Sequence, residues 1–468
     1  MESAESQHSF IVPMRYMGMG LFIVWLCCTH IPELYLGPGA LAEQRDAVTL
    51  GMRYGDVGVL ALLAVFAPRI GSLSNHLKLC GIFALVSSVG TLVCAWVLPA
   101  LNASKALFTL AGAVSAVGGA LLLCLWAQVY CRLNATQTIV YGSVSFIASS
   151  LVSFVIYVCV PPFAVLFTSF MPLLSFACAA FSLRSVSKEP QYSHGVRYPI
   201  PWKLVAVATL AALISVASSA LLPNLAGGST MRNAATGACG VLLLALVVVF
   251  RERFDARLLA RIAFPLAFIT VLLIPFADTV FGPVVSFTGK LAYVWFYSFI
   301  LLVLCGVCRR YGVPSLRMFA TVRACSEAAL LLGVLVKSEF AQLQQLHDPA
   351  FEAAFVSLGL LALGGSVVIW MREPTVNSDW GAAGIVIETG LPEENEVIRF
   401  ERRVKELSEQ HGLTAREAEI MALVARGRTR NDICAELFLS ENTVKTHARN
   451  LYRKLGVHSK AEVPPLFD

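Results

Sequence analysis

Residues 105–130 read KALFTLAGAVSAVGGALLLCLWAQVY, a run in which Lys105 is the single charged residue. A helix needs about 20 predominantly apolar residues to cross the hydrocarbon core of a bilayer, so this stretch predicts a transmembrane α-helix. The composition of the whole chain agrees: 57% of the 468 residues are hydrophobic, 14% are charged, and the mean hydropathy is +0.70. Soluble globular chains carry about 25% charged residues. The sequence therefore predicts an integral membrane protein over most of its length.

Similar apolar runs lie on both sides of this stretch, and together they predict an all-α bundle of about twelve spans in residues 1–371. They lie at 14–31, 48–67, 79–98, 105–130, 138–160, 162–183, 202–222, 233–250, 262–281, 287–308, 316–337 and 351–371. Loops on the side of the N-terminus hold about fifteen Lys and Arg residues and the opposite loops about five, a bias that marks the cytoplasmic side. Both termini are therefore expected in the cytoplasm.

The longest internal loop, 184–201, divides the spans six and six. Two six-helix halves joined by a basic cytoplasmic loop resemble the major facilitator architecture. The loop between spans two and three, 68–78, carries basic residues without the acidic residue of that family's motif, and span five lacks its proline-glycine motif. The resemblance implies the fold, and it makes a secondary transporter with an appended regulatory tail the alternative function.

Three ionisable residues inside the spans are candidate sensor residues: Asp56 in span two, and Arg323 and Glu327 in span eleven. Ionisable side chains are costly at the centre of a bilayer and usually mark functional sites there. Arg323 and Glu327 are four residues apart and share one helix face, while Arg53 lies one turn from Asp56. The alternative is a structural ion pair that fixes helix packing.

The 13 cysteines form no framework, and the single Cys305–Cys308 pair has no second pair at zinc spacing. We interpret them as small apolar residues that pack between helices. The chain shows no nucleotide-binding loop, metal cluster or nucleophile motif, so neither a cofactor, a metal site nor an enzymatic activity is expected.

The composition changes after residue 371. Residues 372–396 are acidic and contain glycine and proline, which predicts a flexible linker. From Val397 onward, Val397, Phe400, Val404 and Leu407 form an apolar stripe on a helix that ends at Gly412. The stripe has two interpretations, a seam with a second copy of the chain or packing onto the C-terminal domain itself.

The segment 397–468 predicts a helix-turn-helix. Thr414 and Glu417 form a capping box, Thr429 begins a short helix, and Ser440 begins a longer one that runs from Glu441 to Leu455. The longer helix buries Val444, Ala448, Leu451 and Leu455, and its opposite face shows Asn442, Lys445, Thr446, Arg449 and Arg453. Such a basic face fits the major groove of DNA. A three-helix protein-interaction module is the alternative.

The tail resembles the LuxR-type DNA-binding domain. The resemblance rests on Leu413-Thr414-Ala415-Arg416-Glu417, Gly427, Ile433, Leu437-Phe438-Leu439-Ser440-Glu441-Asn442-Thr443-Val444-Lys445-Thr446-His447 and Arg453-Lys454-Leu455-Gly456-Val457. It implies base contacts by Lys445, Thr446 and Arg449, phosphate contacts by Thr443 and Lys454, and looser ones by Asn431, Ser440 and Lys460. Pro464 and Pro465 cut short the family's fourth helix, which commonly forms the dimer contact.

The whole arrangement resembles the bacterial membrane-embedded LuxR regulators, in which a twelve-span domain precedes the DNA-binding tail. The resemblance implies a one-component transcriptional regulator of the bacterial cell membrane. Its expected partners are promoter DNA, the lipid bilayer, a small-molecule or membrane signal, and a second copy of the chain in a homodimer.

Overall fold

The computed structural model contains helices and no strands within the residues it describes, which confirms the all-α class. The described residues are 14–29, 42–185, 205–206, 208–213, 228–249, 256–273, 282–311, 314–345, 396–437, 439–457 and 459–467.

The first six helices of the membrane region follow the first six predicted spans. They are α1 (Gly18–Thr29, after a 3-10 turn at Met14–Met17), α2 (Ala42–Ile70), α3 (Leu77–Leu92), α4 (Lys105–Tyr130), α5 (Ala135–Val158) and α6 (Pro161–Ser185). The quoted stretch 105–130 forms α4 without a shift at either end. Asn134 and Gln137 close a capping box at the start of α5, where a sequence signal fixes the helix end.

The second half of the membrane region continues the series. Residues 205–206 and 208–213 are helical and are called α7; α8 is Gly228–Val249, α9 Ala256–Leu273, α10 Gly282–Tyr311 and α11 Ser315–Gln345. Among the described residues, eight helices are long and apolar enough to cross a membrane, and two shorter apolar ones lie at Arg15–Thr29 and Ile262–Leu273. The predicted span 351–371 and part of span 202–222 lie outside the described residues.

The third span contains a wider turn that the sequence explains. After α3 the chain makes a π-helical turn at Val93–Val97 and then a short helical piece at Leu98–Ala100. Pro99 lacks a backbone N–H, and its ring would clash with the carbonyl four residues earlier in a regular α-helix. A π turn directly before the proline removes this conflict without ending the span.

The helices α2 and α4 pack backbone to backbone. A Cβ atom added to Gly51 would lie 2.0 Å from the Thr109 carbonyl oxygen, and one added to Gly55 would lie 2.3 Å from that of Ala113. Small residues allow this close approach between membrane helices, where dispersion replaces the hydrophobic effect as the packing force. The glycines therefore fix where α2, with its charged residues, sits against α4.

The two halves of the membrane region meet mainly through two helix pairs, α2 with α11 and α5 with α8. In a six-plus-six repeat, each helix of the first half corresponds to the helix six positions later, so α2 corresponds to α8 and α5 to α11. The α2–α11 contact and the α5–α8 contact are therefore equivalent in the repeat. In the α5–α8 pair, Ser150 Oγ donates to the Asn233 carbonyl oxygen at 3.0 Å and Asn233 Nδ2 donates to the Ser150 carbonyl oxygen at 3.1 Å. Polar side chains thus join the halves there.

A second compact unit contains the C-terminal helices. They are α12 (Glu396–Gln410), α13 (Ala415–Ala425), α14 (Arg430–Leu437) and α15 (Glu441–Leu455), followed by 3-10 turns at Lys460–Glu462 and Pro464–Phe467. Its buried core includes Leu407, Ile420, Met421, Val424, Ile433, Val444, Leu451, Leu455 and Val463. Gly456 ends α15 in the left-handed conformation with φ +70°, as expected of a helix C-terminus.

Candidate nucleic-acid interface and membrane charge cluster

Two side-chain caps position the helix pair α14–α15. At the start of α14, the Thr429 amide donates to Asp432 Oδ2 at 2.9 Å, and the Asp432 amide donates to Thr429 Oγ1 at 3.3 Å. At the start of α15, Ser440 Oγ accepts from the Thr443 amide at 3.2 Å. These bonds satisfy backbone donors that the first turn of a helix leaves without a partner. Local sequence thus fixes where both helices begin.

The helix α15 divides into a buried and an exposed face. Val444, Leu451 and Leu455 are buried in the domain core. The five side chains predicted for the outer face are all exposed: Asn442, Lys445, Thr446, Arg449 and Arg453. Within the described residues, Lys445 and Arg449 make no hydrogen bond or ion pair, so their charges remain available to a ligand. The arrangement suits recognition of base edges and phosphates.

Three of the predicted phosphate-contacting residues lie beside this face. Thr443 is half-buried, with its Oγ1 2.7 Å from Ser440 Oγ, and Asn431 is exposed in the first turn of α14. Ser440 caps α15 and is itself exposed. Because a helix N-terminus attracts anions through its free amides, this end of α15 is a suitable place for a phosphate.

The remaining two predicted contacts, Lys454 and Lys460, are bound within the domain. Lys454 Nζ donates to the Gly412 carbonyl oxygen at 2.8 Å and to Glu417 Oε2 at 2.7 Å. Burial alone would raise the pKa of Glu417, but hydrogen bonds from Lys454 and Thr414 outweigh it and lower that pKa from its usual 4.5. Lys460 Nζ donates to the Gly427 carbonyl oxygen at 3.3 Å, and burial lowers its pKa. Their phosphate contacts stay predictions.

The sequence reasoning missed Arg430 as a member of this surface. Its side chain is 54% exposed at the start of α14, and its Nη1 lies 3.4 Å from Glu441 Oε1 at the start of α15. Helical spacing could not predict this pair, because its two residues lie on different helices on either side of the turn. A basic residue at the first position of the short helix was the available signal.

The apolar stripe of α12 packs onto its own domain, which is the second of its two interpretations. Leu407 belongs to the buried core and Val404 packs against it. The Phe400 ring stacks on that of Phe467 with centroids 4.9 Å apart, and the Arg426 guanidinium lies 4.7 Å from the Phe400 centroid. The C-terminal turns that replace a fourth helix thus contact α12.

The predicted sensor residues lie at the contact between α2 and α11. Arg323 and Glu327 form an ion pair on one face of α11, and Arg53 of α2 donates from Nη1 to Glu327 Oε2 at 2.5 Å. Arg323 also donates to the Tyr293 hydroxyl at 3.0 Å. The Asp56 side chain is buried one turn after Arg53 and makes no hydrogen bond or ion pair within the described residues. We call Arg53, Asp56, Arg323 and Glu327 the charge cluster.

The contact between Arg53 and Glu327 was not predicted from the sequence. The two residues are 274 positions apart, so no helical spacing relates them. One carboxylate thus receives two guanidinium groups from opposite halves of the membrane region. In a medium of low dielectric constant, such an arrangement is strongly favoured over any state that separates the charges.

The described cysteines are free thiols, and within the described residues no three His, Cys, Asp or Glu side chains lie close enough together to hold a metal ion. Most of the cysteines are buried between helices. Cys131 Sγ and Cys305 Sγ, at the end of α4 and in α10, lie 3.6 Å apart.

A comparison with solved structures places the membrane region among known folds. The chain is similar to the major facilitator superfamily proton:xylose symporter XylE, solved with 6-bromo-6-deoxy-D-glucose bound, at a TM-score of 0.52 and 12% sequence identity over 78% of this chain and 95% of that one. At this identity the similarity shows the fold alone. The membrane region is therefore a major-facilitator-like helix bundle, and the chain is a membrane protein.

Sequence comparisons identify the tail. It is 49% identical over 55 residues to a nitrate/nitrite response regulator protein homolog of Haemophilus influenzae, across 12% of this chain and 26% of that protein. It is 40% identical over 58 residues to the spore germination protein GerE of Bacillus subtilis, across 12% of this chain and 78% of that protein. Residues 411–464 match the family model for bacterial regulatory proteins, luxR family. Through this helix-turn-helix, the chain belongs to the luxR family of bacterial regulatory proteins.

Proposed function

We propose that the protein is a membrane-embedded one-component transcriptional regulator that binds promoter DNA through α15. The observation that carries the proposal is the outer face of α15, where Lys445 and Arg449 are exposed and have no partner among the described residues. A helix that buries one apolar face and leaves cations uncommitted on the other suits binding to DNA. This function requires binding alone, so it needs neither a cofactor nor a catalytic group.

The proposed organisation follows the composition of the chain. Residues 1–371 form the membrane domain, 372–396 the linker and 397–468 the DNA-binding domain. A flexible linker of about 25 residues has a root-mean-square reach of about 25–30 Å, so the tail meets DNA close to the membrane surface. The regulator therefore acts on DNA that is brought to the bilayer.

Footprinting of the full chain in lipid nanodiscs on DNA upstream of its own gene tests the DNA-binding proposal. We expect protection of a defined site, and we expect Lys445→Ala or Arg449→Ala to weaken binding at that site by about 1–3 kcal/mol while leaving non-specific binding in place. Lys405→Ala is the control, because Lys405 is exposed on α12 and lies 4.0 Å from Glu409. Equal site preference in all three variants would contradict the assignment of Lys445 and Arg449 as base readers.

The proposal requires both termini to be cytoplasmic. The excess of Lys and Arg in alternate loops supports this orientation. We expect reporter fusions at Lys105 and Asp348 to be external and fusions after Arg372 to be internal. An external C-terminus would rule out regulation by this tail, because the tail would then be separated from the chromosome.

The charge cluster is the proposed sensor of the membrane domain. Arg53 belongs to the first half and Glu327 to the second, so a signal that separates them changes how the halves meet. A small molecule or a change in the membrane could act in this way, since either one can favour one arrangement of the helices. The structural alternative is a fixed bridge that holds the two halves together without responding to a signal.

The major-facilitator-like fold favours a second candidate function, a secondary transporter with a DNA-binding regulatory tail. The two functions differ in what a chain truncated after residue 371 retains. A transporter keeps its substrate flux without the tail, whereas the regulator loses every effect on transcription. Measuring uptake and promoter output in cells that carry the full or the truncated chain separates them.

A further inference from the structure

A small cavity lies beside the charge cluster, between α7, α10 and α11. Arg323 and Ser326 line it together with four aromatic residues, Tyr293, Phe296, Tyr297 and Phe319. The Arg323 guanidinium lies 5.1 Å from the centroid of the Tyr297 ring. The space open to a water-sized molecule is about 20 Å³, which holds about one water. The cavity is therefore closed to larger molecules in this conformation.

Both arginines of the cluster keep an unused hydrogen-bond donor, and one of them, Arg323, lines this cavity. The Nε atoms of Arg53 and Arg323 are buried, and neither has an acceptor within the described residues. Other buried arginine Nε atoms of the described residues also lack an acceptor, and among them only that of Arg323 belongs to a residue that lines this cavity. A guanidinium offers its donors in a planar fork that matches a carboxylate with two parallel hydrogen bonds. A carboxylate at this position would satisfy the Nε donor of Arg323.

We propose that this cavity is the binding site of a small organic anion, with a carboxylate head on Arg323 and a flat apolar body against the aromatic walls. The inference rests on the proposed sensor function and names the class of its ligand. In the present conformation Glu327 holds both arginines and acts as an internal substitute for the carboxylate of the ligand. The ligand carboxylate displaces Glu327 from Arg323.

Binding in this site is coupled to a change in the helix contacts. Because the cavity holds about one water, a larger occupant must part α11 from the helices around it. Arg53 of α2 binds the same Glu327 carboxylate, so a movement of Glu327 away from Arg323 that accompanies the parting of α11 also changes the contact that joins α2 to α11. A ligand that binds better to the loosened form shifts the population toward it. This coupling gives the membrane domain a means of reporting the anion.

The test uses the full chain in lipid nanodiscs, with benzoate as the probe and benzamide as its neutral counterpart. We expect benzoate to raise the melting temperature with increasing concentration and benzamide to leave it unchanged. Glu327→Gln removes the competing carboxylate and should lower the benzoate concentration for half-effect about tenfold, within the usual range of coupling between sites. Arg323→Gln should abolish the effect, and Arg69→Gln, at the exposed end of α2, should behave as the wild type.

Two further measurements separate the outcomes. If Arg323→Gln fails to fold, Tyr293→Phe replaces it, since it removes the hydroxyl that Arg323 contacts and should weaken benzoate binding severalfold. Absence of benzoate binding to both the wild type and Glu327→Gln, or equal responses to benzoate and benzamide, would overturn the anion site and leave the regulator proposal standing. Benzoate binding that leaves the footprint on DNA unchanged would keep the site and refute its role as a sensor.

Discussion

At the scale of single residues, Lys454 is a basic side chain whose contacts in the structure differ from the role expected from the sequence. The family resemblance implies a phosphate contact, while the structure engages its ammonium group with Glu417 and the Gly412 carbonyl oxygen. Glu417 in turn caps α13 through the Thr414 amide at 2.8 Å. A single carboxylate therefore joins the start of α13 to the end of α15.

We expect Lys454→Ala to destabilise the DNA-binding domain by about 1–3 kcal/mol, because it leaves the buried Glu417 carboxylate without its cation. The pKa of Glu417 is lowered in the folded state, so its contribution is present at neutral pH and is lost as the pH falls below 4.5. The difference between wild type and Lys454→Ala should thus shrink on acidification. Urea unfolding of a fragment from residue 390 onward, followed by circular dichroism at pH 7 and pH 4, measures it.

Lys405→Ala is the matched control for this measurement. Lys405 lies 4.0 Å from Glu409, but both side chains are largely exposed, so the pair contributes at most about 1 kcal/mol. A Lys454→Ala variant as stable as the control at pH 7 would show that the contact with Glu417 adds little to folding, and it would return Lys454 to the set of phosphate contacts.

At the scale of elements, the contact between α2 and α4 depends on positions where a Cβ atom has no room. We expect Gly55→Ala to force the helices apart, because its Cβ would lie 2.3 Å from the Ala113 carbonyl oxygen. Overpacking of this kind costs about 1–3 kcal/mol. Gly58→Ala, one turn further along α2, meets nothing within 4 Å and should leave stability unchanged or slightly raised. Thermal unfolding in detergent, followed by size-exclusion chromatography, compares the two variants.

Gly55 also connects packing to the charge cluster, because it lies between Arg53 and Asp56 in α2. A shift of α2 away from α4 would move Arg53 relative to Glu327. If Gly55→Ala proved as stable as Gly58→Ala, the close backbone approach between α2 and α4 would be wrong.

Helix ends and faces were the parts of the fold that local sequence could predict. Thr414 with Glu417, and Ser440, start helices where their side chains cap free amides, and Gly456 ends α15 where a left-handed residue is needed. Burial of Leu451 opposite exposed Lys445 follows from helical spacing alone. These features depend on residues within about one turn of each other, so no long-range information is required.

Contacts between distant segments were outside the reach of a single sequence. Nothing in the spacing joins Arg53 to Glu327, Lys454 to Glu417, or Phe400 to Phe467. The stripe on α12 illustrates the difference: its helical period was predictable, whereas the surface that it covers was not. Asp56, Arg323 and Glu327 could be predicted because ionisable side chains are costly in a bilayer. The contact of Arg53 with Glu327 could not be predicted, because it depends on how α2 packs against α11.

At the scale of the whole molecule, the charge cluster links the two halves, since Arg53 and Arg323 both contact the Glu327 carboxylate. Loss of either arginine leaves Glu327 with one cation. Loss of Glu327 removes a carboxylate contact from two half-buried guanidinium groups, of which Arg323 still donates to the Tyr293 hydroxyl in α10. The three substitutions are therefore unequal, although each removes one charge.

We expect Glu327→Gln to destabilise the membrane domain by about 3–5 kcal/mol, the usual cost of breaking a buried pair by removing one partner. Arg53→Gln should cost less. The double variant Arg323→Gln with Glu327→Gln should be milder than Glu327→Gln alone, because only Arg53 then loses its contact with the Glu327 carboxylate, whereas Glu327→Gln alone removes this contact from both arginines. Promoter output, compared at equal protein level, should follow the same order if the cluster sets the regulatory state. Glu43→Gln is the control, since its pair with Lys105 is largely exposed. Equal output from every variant, despite unequal stability, would reduce the cluster to a structural bridge.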